Sequence, residues 1–368
     1  MITIELLPAA HGDALWIEYG SDPDRRRILI DGGPAHSYEF GLRNRMALQP
    51  EERRIFELMV VTHIDADHID GALILLQDKN SPNGVSFQVK EFWFNAWAQL
   101  PKPPSEPFAP LQGEFLNSLL TLDDELKGVW NKRFSGGAVM VADDKPLPEI
   151  ELDDNARITL LGPTAAGLRK LRSRWNSAIR DFDPGDADEA LLRLKERRNY
   201  QPPAMPPVFA TPQYGSDRSP ANGSSISFLL EHGGVSVLLL GDAHANTIAT
   251  SLTSLATQRS VARITVDAVK LPHHGSMANI SADWLKLVDC ERWLISTSGA
   301  VFGHPDIQTA ELIADHCTKT PIFYCNYLSD TTRQLDNSSR WSVVFPKEDQ
   351  PANQVGGLQL SLAAASEE

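Results

Sequence analysis

The stretch running from Val60 to Gly71, Val-Val-Thr-His-Ile-Asp-Ala-Asp-His-Ile-Asp-Gly, holds four potential metal ligands, His63, Asp65, Asp67 and His68, within six residues. The apolar run Leu58, Met59, Val60, Val61 before them predicts a buried strand. Ile69, Ala72, Leu73, Leu75 and Leu76 after them predict the apolar face of an amphipathic helix. The four side chains then fall on a strand-to-helix turn, where a rigid scaffold aims several groups at one point. The competing reading is a solvated acidic turn with no ligand.

Other segments fit strands around this turn. Ile2, Ile4, Leu6 and then Leu15, Ile17, Tyr19 alternate with less apolar neighbours, and Arg27 to Ile30 runs into Asp31-Gly32-Gly33-Pro34. That glycine turn allows close backbone approach. Arg43 to Glu57 is polar and helix-like, and Gln88 to Phe94 predicts another strand. From Asn95 to about Gly215 the character changes. A proline-rich connection at Pro101, Pro103, Pro104, Pro107 and Pro110 leads to a predicted helix near 114–129 and a strand at Arg157–Leu161. The helix predicted at Leu168–Arg180 carries Arg169, Lys170, Arg172, Arg174 and Arg180 with no acidic residue, and it reads either as a basic face or as a clamp for an anionic substrate. Residues 199–220 read as a long loop, a type often functional.

Regularity returns with strands at Ile226–Leu230 and Val235–Leu240 around a Gly233-Gly234 turn. A helix at Asn246–Leu255 and a strand at Ile264–Leu271 come next, then a helix at Ala282–Val288 and a strand at Arg292–Ser296. A helix after Pro305 and strands near 321–324 and 341–345 close the pattern. Strands dominate first and then alternate with helices in both halves, which predicts two facing sheets with helices outside.

The 368 residues are 42% hydrophobic and 22% charged, an ordinary globular composition. No apolar run approaches the ~20 residues of a membrane span, and the first residues lack the features of a signal peptide. Cys290, Cys317 and Cys325 lack a C-x-x-C spacing, which predicts reduced, packed thiols in a cytoplasmic protein. A formal charge of −14 argues against a broad nucleic-acid surface, though not against a locally basic cleft.

Further ligand types end predicted strands: Asp242 after Leu240-Gly241, His273-His274 after Leu271-Pro272, and His304 within Phe302-Gly-His-Pro305. Strand ends meet at one rim of a sandwich, so distant ligands can converge there. Asp242 is the natural bridge between two cations about 3.5–4 Å apart.

Together these residues resemble the metallo-β-lactamase superfamily, and most nearly the soluble hydrolase domain of the ComEC competence proteins and its stand-alone relatives. The matching pieces are His11-Gly-Asp-Ala-Leu, Leu29-Ile-Asp-Gly-Gly, Thr62-His-Ile-Asp-Ala-Asp-His-Ile-Asp-Gly, Asn222-Gly-Ser-Ser-Ile, Leu239-Leu-Gly-Asp-Ala, Lys270-Leu-Pro-His-His-Gly-Ser and Phe302-Gly-His-Pro. They occur in the family's order and cover roughly 1–94 and 220–310. The resemblance implies an α/β, metallo-β-lactamase-like αββα four-layer sandwich, a single domain over 1–368 with an insertion at about 95–215. It implies His63 and Asp65 on a first divalent cation and Asp67, His68 and one of His273 and His274 on a second, with Asp242 between; His274 is the better match. Asp13 and Asp31 are read as carboxylates that hold ligand imidazoles or as turn-capping residues.

Two departures matter. The family's usual second histidine is Asp65 here, and its histidine between the halves has no counterpart among Asn222, Ser224 and Ser225. Oxygen in place of nitrogen makes the site harder and moves the expected metal from zinc towards manganese or magnesium. The implied chemistry is metal-assisted hydrolysis, with Asp67 in the catalytic group and His304 as a donor to phosphate or leaving group. Asn222, Ser224, Ser225 and Ser276 are candidates to contact a phosphodiester substrate, a nucleic acid or nucleotide. Hydrolysis of a thioester, lactone or amide is the alternative reaction, and a metal-poor interaction module is the alternative class. His244 reads as structural, and His11, His36, His232 and His316 as surface or packing residues.

Overall fold

In a computed structural model, residues 1–79, 81, 84–101, 111–175, 183–196, 215–347 and 356–364 are described. Among them, one sheet is built from β1 (Ile2–Leu6), β2 (Leu15–Tyr19), β3 (Arg26–Ile30), β4 (Leu58–Val60), β5 (Phe92–Trp93) and a late strand. The second sheet holds β6 (Glu149–Glu151), β7 (Arg157–Gly162), β8 (Ser227–His232), β9 (Val235–Leu239), β10 (Ala268–Lys270), β11 (Arg292–Ile295), β12 (Ile322–Cys325) and β13 (Ser342–Val344). The late strand is β14 (Leu358–Leu362), and the orders are β14-β1-β2-β3-β4-β5 and β13-β12-β11-β10-β9-β8-β7-β6.

Alternation decides which face goes where. Ile4, Ile17, Ile28, Leu58 and Val60 of the first sheet share one core with Phe228, Leu230 and Val237 of the second. The Trp93 ring meets Phe228 edge-on at 6.0 Å across the gap between sheets. The in-between residues Trp16, Leu29 and Met59 belong to a second core, against α1 (Ala66–Asp78), α2 (Leu111–Leu122) and α3 (Ala165–Trp175). On the far side, α5 (Ala245–Arg259) packs over the second sheet, and α6 (Ile307–His316) follows; α4 (Ala187–Glu196) packs on α2. The chain is therefore an α/β, metallo-β-lactamase-like αββα four-layer sandwich, as expected. No helix among the described residues is long and apolar enough to cross a membrane.

Parallel pairing joins β3 to β4, and β9 through β10 and β11 to β12. Parallel strands need crossovers, which place all their carboxyl ends on one rim. Asp31, His63, Asp242, His273, His274 and Ser296 each follow such an end.

Several boundaries differ from the sequence expectation. Arg43–Glu57 is not one helix: short helical segments at Glu39–Arg43 and Asn44–Ala47 stop before Pro50, and Ile55–Phe56 is already a strand. The helix expected near 114–129 is broken at Asp123, whose carboxylate accepts the N–H groups of Glu125 and Leu126 and so caps a new helix, Asp124–Val129. The strands expected at 88–94 and 264–271 each split in two, because their halves pair in different sheets. The helix expected at 282–288 ends at Leu285, and Val288 opens another strand. Two strands from within 95–215, β6 and β7, complete the second sheet, with β7 paired to β8. The prolines at 103–110, Arg180 and most of the loop at 199–220 lie outside the described residues.

Candidate metal centre

Glycines at two close approaches lock the ligand-bearing turn in place. A Cβ on Gly12 would lie 1.8 Å from Asp67 O, and one on Gly32 would lie 2.1 Å from Ala72 N. Any other residue at either position would push the β1–β2 turn or the Asp31 turn off α1. Asp31 itself sits at φ 58°, and its carboxylate accepts from Thr62 N–H (2.7 Å) and Thr62 Oγ1–H (2.8 Å). This ties the end of β3 to the end of β4.

Every site imidazole is fixed through Nδ1. His63 Nδ1 faces Thr62 Oγ1 at 3.0 Å; because that hydroxyl donates to Asp31, it accepts from His63. His68 Nδ1 meets Asp31 Oδ2 at 2.8 Å, His273 Nδ1 meets Asn279 Oδ1 at 2.8 Å, and His274 Nδ1 meets Ser296 O at 2.9 Å. Each arrangement puts the proton on Nδ1 and leaves the Nε2 lone pair free. The four Nε2 atoms converge on Asp242 Oδ2, at 3.9 Å from His63, 3.4 Å from His68 and 3.9 Å from each of His273 and His274. Asp67 Oδ2 is 3.3 Å from His274 Nε2 and 3.9 Å from His68 Nε2, and Asp65 Oδ2 is 3.5 Å from His63 Nε2.

His63 Nε2, His68 Nε2 and Asp242 Oδ1 are buried with no hydrogen-bond partner among the described residues. Each orphaned buried group costs about 1–3 kcal/mol, and a cation among them would satisfy all three. Ligand atoms of His63, His68 and Asp242, and of Asp67, His68 and His274, lie within 4.8 Å of one another. Mixed imidazole and carboxylate donors suit divalent transition metals and manganese. The residues fit the two cations implied by the sequence.

The electrostatics point the same way. Burial alone would raise the Asp242 carboxyl, but His68, His274 and His273 hold it well below the usual carboxylate range. Burial opposes charge on His68, yet Asp242, Asp67 and Asp31 raise its pKa well above normal. His274, buried but facing Asp242 and Asp13, is raised to about 9. A field that favours positive charge on buried imidazoles also favours a divalent cation at Nε2 in place of a proton. Behind His274, Asp13 Oδ2 pairs with Lys270 Nζ at 2.6 Å, both side chains 1% exposed, while Asp13 Oδ1 lies 3.3 Å from His274 Nδ1.

Of the residues expected to contact substrate, Ser225 Oγ accepts the Asp242 N–H at 2.9 Å and Ser224 Oγ donates to Ala221 O at 2.6 Å. Asn222 Nδ2 donates to Asp217 Oδ2 at 2.7 Å, leaving its buried Oδ1 without a partner, and Ser276 is buried beside the histidine pair. His304 stands next to His273, ring centroids 5.4 Å apart, with Nδ1 3.4 Å from Asp306. His244 precedes α5 and lies 3.8 Å from Asp217. In the basic helix, Arg172 turns inward, donating to Trp97 O and Leu100 O at 2.7 Å each and stacking 3.6 Å over the Trp97 ring. Lys170 instead lines a cavity of about 680 Å³ with Arg218, Asp217 and His244.

Three participants escape sequence reasoning. Asn279, fully buried, accepts from His273 and donates to Asp217 Oδ2 and to the carbonyls of Asp242 and Ala243. Asp217 receives both Asn222 and Asn279 from within the long loop, and the loop's length was its one signal. His11, read as an ordinary packing residue, lies close enough to feel Asp67, with burial lowering its pKa to about 4 against that pull.

No model of a known protein family matches this sequence, and no curated protein matches it. Among solved structures, the chain is similar to CmlA, a diiron beta-hydroxylase from Streptomyces venezuelae, with 12% identity and a TM-score of 0.42 over 98% of this chain and 54% of that one. It thus spans about half the length of that protein. It is similar to the metallo-beta-lactamase fold protein YhfI from Bacillus subtilis over 97% of this chain and 99% of that one, with 9% identity and a TM-score of 0.41. Zn(2+)-bound PqqB from Methylobacterium extorquens aligns over 98% of this chain and 100% of its own, with 12% identity and a TM-score of 0.40. These are loose likenesses in architecture, and they assign no activity to this chain.

Proposed function

We propose that this chain is a metal-dependent hydrolase of phosphodiesters, acting on nucleic acid or a nucleotide. The observation that carries this reading is the convergence of four Nε2 lone pairs on one buried carboxylate oxygen, Asp242 Oδ2. In this reading Asp67, His68 and His274 would hold one divalent cation and His63, Asp65 and His273 the other, with Asp242 available to both. A pair of such cations supplies Lewis acidity for a phosphoryl oxygen and acidifies water. Manganese or magnesium suits the three carboxylates better than zinc does.

The chain's own groups do the rest. Thr62, Asp31, Asn279 and Ser296 fix the ring tautomers, so no imidazole has to reorient when substrate arrives. His304, oriented by Asp306, donates a proton to a phosphate oxygen or the leaving group. Ser276 and Asn222 contact the phosphate, while Ser225 steadies the Asp242 turn and Ser224 holds the turn before it through Ala221 O. We read 1–368 as one domain, a reading supported by the pairing of β7 with β8.

The test is manganese-dependent cleavage of bis-p-nitrophenyl phosphate by wild type, Asp67→Ala and His68→Ala, with circular dichroism to confirm that each variant folds. Cleavage by wild type and its loss in both folded variants is expected. An active esterase or lactonase that leaves phosphodiesters untouched would sink this reading in favour of the alternative hydrolase.

A further inference from the structure

Ring contacts do not stop at the ligands. His304 sits against His273, and Phe302 stacks on His304 with centroids 6.5 Å apart and planes 26° from parallel. His11 meets Phe302 edge-on at 5.6 Å and in turn stacks on His36 at 5.5 Å and 23°. Phe302 is 39% exposed, the one aromatic among the exposed large apolar side chains of the described residues. The ring is therefore packed against two imidazoles and still partly open to solvent.

The loop that carries this ring is braced. Ser298 N–H donates to Ala10 O at 2.6 Å, Gly303 N–H to Gly299 O at 3.1 Å, and Asp306 N–H to Gly275 O at 3.2 Å. These bonds tie the Phe302 turn to the His11 turn on one side and to the histidine pair on the other. A Cβ placed on Gly303 would meet nothing within 4 Å, so the space next to the ring is open. A fixed aromatic surface with open space beside it, reached from the metal centre through one intervening ring, is what a flat ligand group requires.

We propose that Phe302, backed by His304 and flanked by His11, is a stacking platform for an unpaired base of the substrate. This rests on the phosphodiesterase reading and narrows it to nucleotides, single strands or frayed ends, since a base inside a duplex has no free face. It also answers the charge problem. A chain of net charge −14 draws little affinity from phosphate neutralisation, whereas stacking on an aromatic ring is independent of charge and tolerant of sequence.

The experiment compares hydrolysis of a short single-stranded oligonucleotide with that of the same backbone carrying abasic positions, with manganese, for wild type, Phe302→Leu and Phe302→Trp. Wild type should favour the base-bearing strand in kcat/KM. Phe302→Leu should lower that preference about tenfold, chiefly through KM, and Phe302→Trp should retain it. A preference in Phe302→Leu equal to that of wild type overturns the platform and leaves the hydrolase reading standing. Failure of wild type to cleave either strand overturns the phosphodiesterase reading, and the platform with it.

Discussion

On one side of Asp242, the imidazoles of His68 and His274 are fully buried, His68 braced by the Asp31 carboxylate and His274 by the Ser296 carbonyl with the charged pair Asp13–Lys270 behind it. On the other side, His63 and His273 are braced by a neutral hydroxyl and a neutral amide, and the Asp65 and His273 side chains are 44% and 22% exposed. A carboxylate behind an imidazole raises the basicity of the ligand, and burial weakens competition from water. The sealed half should therefore hold a cation tightly, and the open half should exchange its cation and present it to substrate. One departure from the ligand set that the resemblance implies, Asp65, falls in the open half.

The largest effect should come from unbalancing the sealed half. Lys270→Met leaves Asp13 buried without its cation and should cost about 3–5 kcal/mol of stability in urea unfolding; a loss below about 1 kcal/mol would mean that the pair does not brace His274. The same half carries a liability in Asp70. This carboxyl is buried on α1, has no hydrogen bond or ion pair among the described residues, and is raised to about 7 by burial and by Asp67. A folded-state pKa above the unfolded value of 3.8 means that the native state binds the extra proton. Stability should therefore fall as pH rises from about 4 to 7. In chelator, Asp70→Asn should gain on the order of 1–4 kcal/mol over wild type at pH 8 and little at pH 4.5. Equal gains at both pH values would break the assignment.

The comparison sharpens at the groups behind the rings. Asp31→Asn should weaken the tighter manganese site about 10–100-fold. Asn279→Ala, which removes a neutral brace, should weaken the looser site by a smaller factor. Calorimetric titration of both variants separates the outcomes, and equal effects would erase the distinction between the halves.

How much of this was legible in the sequence depended on how far apart the partners lie. Strands β1 and β2 follow from alternation, and β3 and β4 from short apolar runs that end in a turn, because each of these signals is local. His63, Asp65, Asp67 and His68 stood out because one turn carries them all. Asn279, Asp217 and the pairing of Lys270 with Asp13 depend on segments far apart in the chain, and no local pattern distinguishes a buried asparagine from a turn residue. Strand β14 pairs with β1 from the far end of the sequence, Ile2 against Leu362 at one end, and its short run offers little by itself. Asp123 was readable in principle as a cap, yet the apolar pattern continues past it, so 114–129 read as one helix.

The central claim is that Asp242 joins two unequal cation sites. Manganese titration of wild-type protein, followed by calorimetry and by metal analysis of protein purified without chelator, tests it most directly. Two manganese ions per chain are expected, one tight and one weak, with the tight one lost in Asp67→Ala and the weak one in His63→Ala. Fewer than one bound ion per chain under every divalent cation supplied would contradict the account and favour an interaction module that keeps the fold without the reaction.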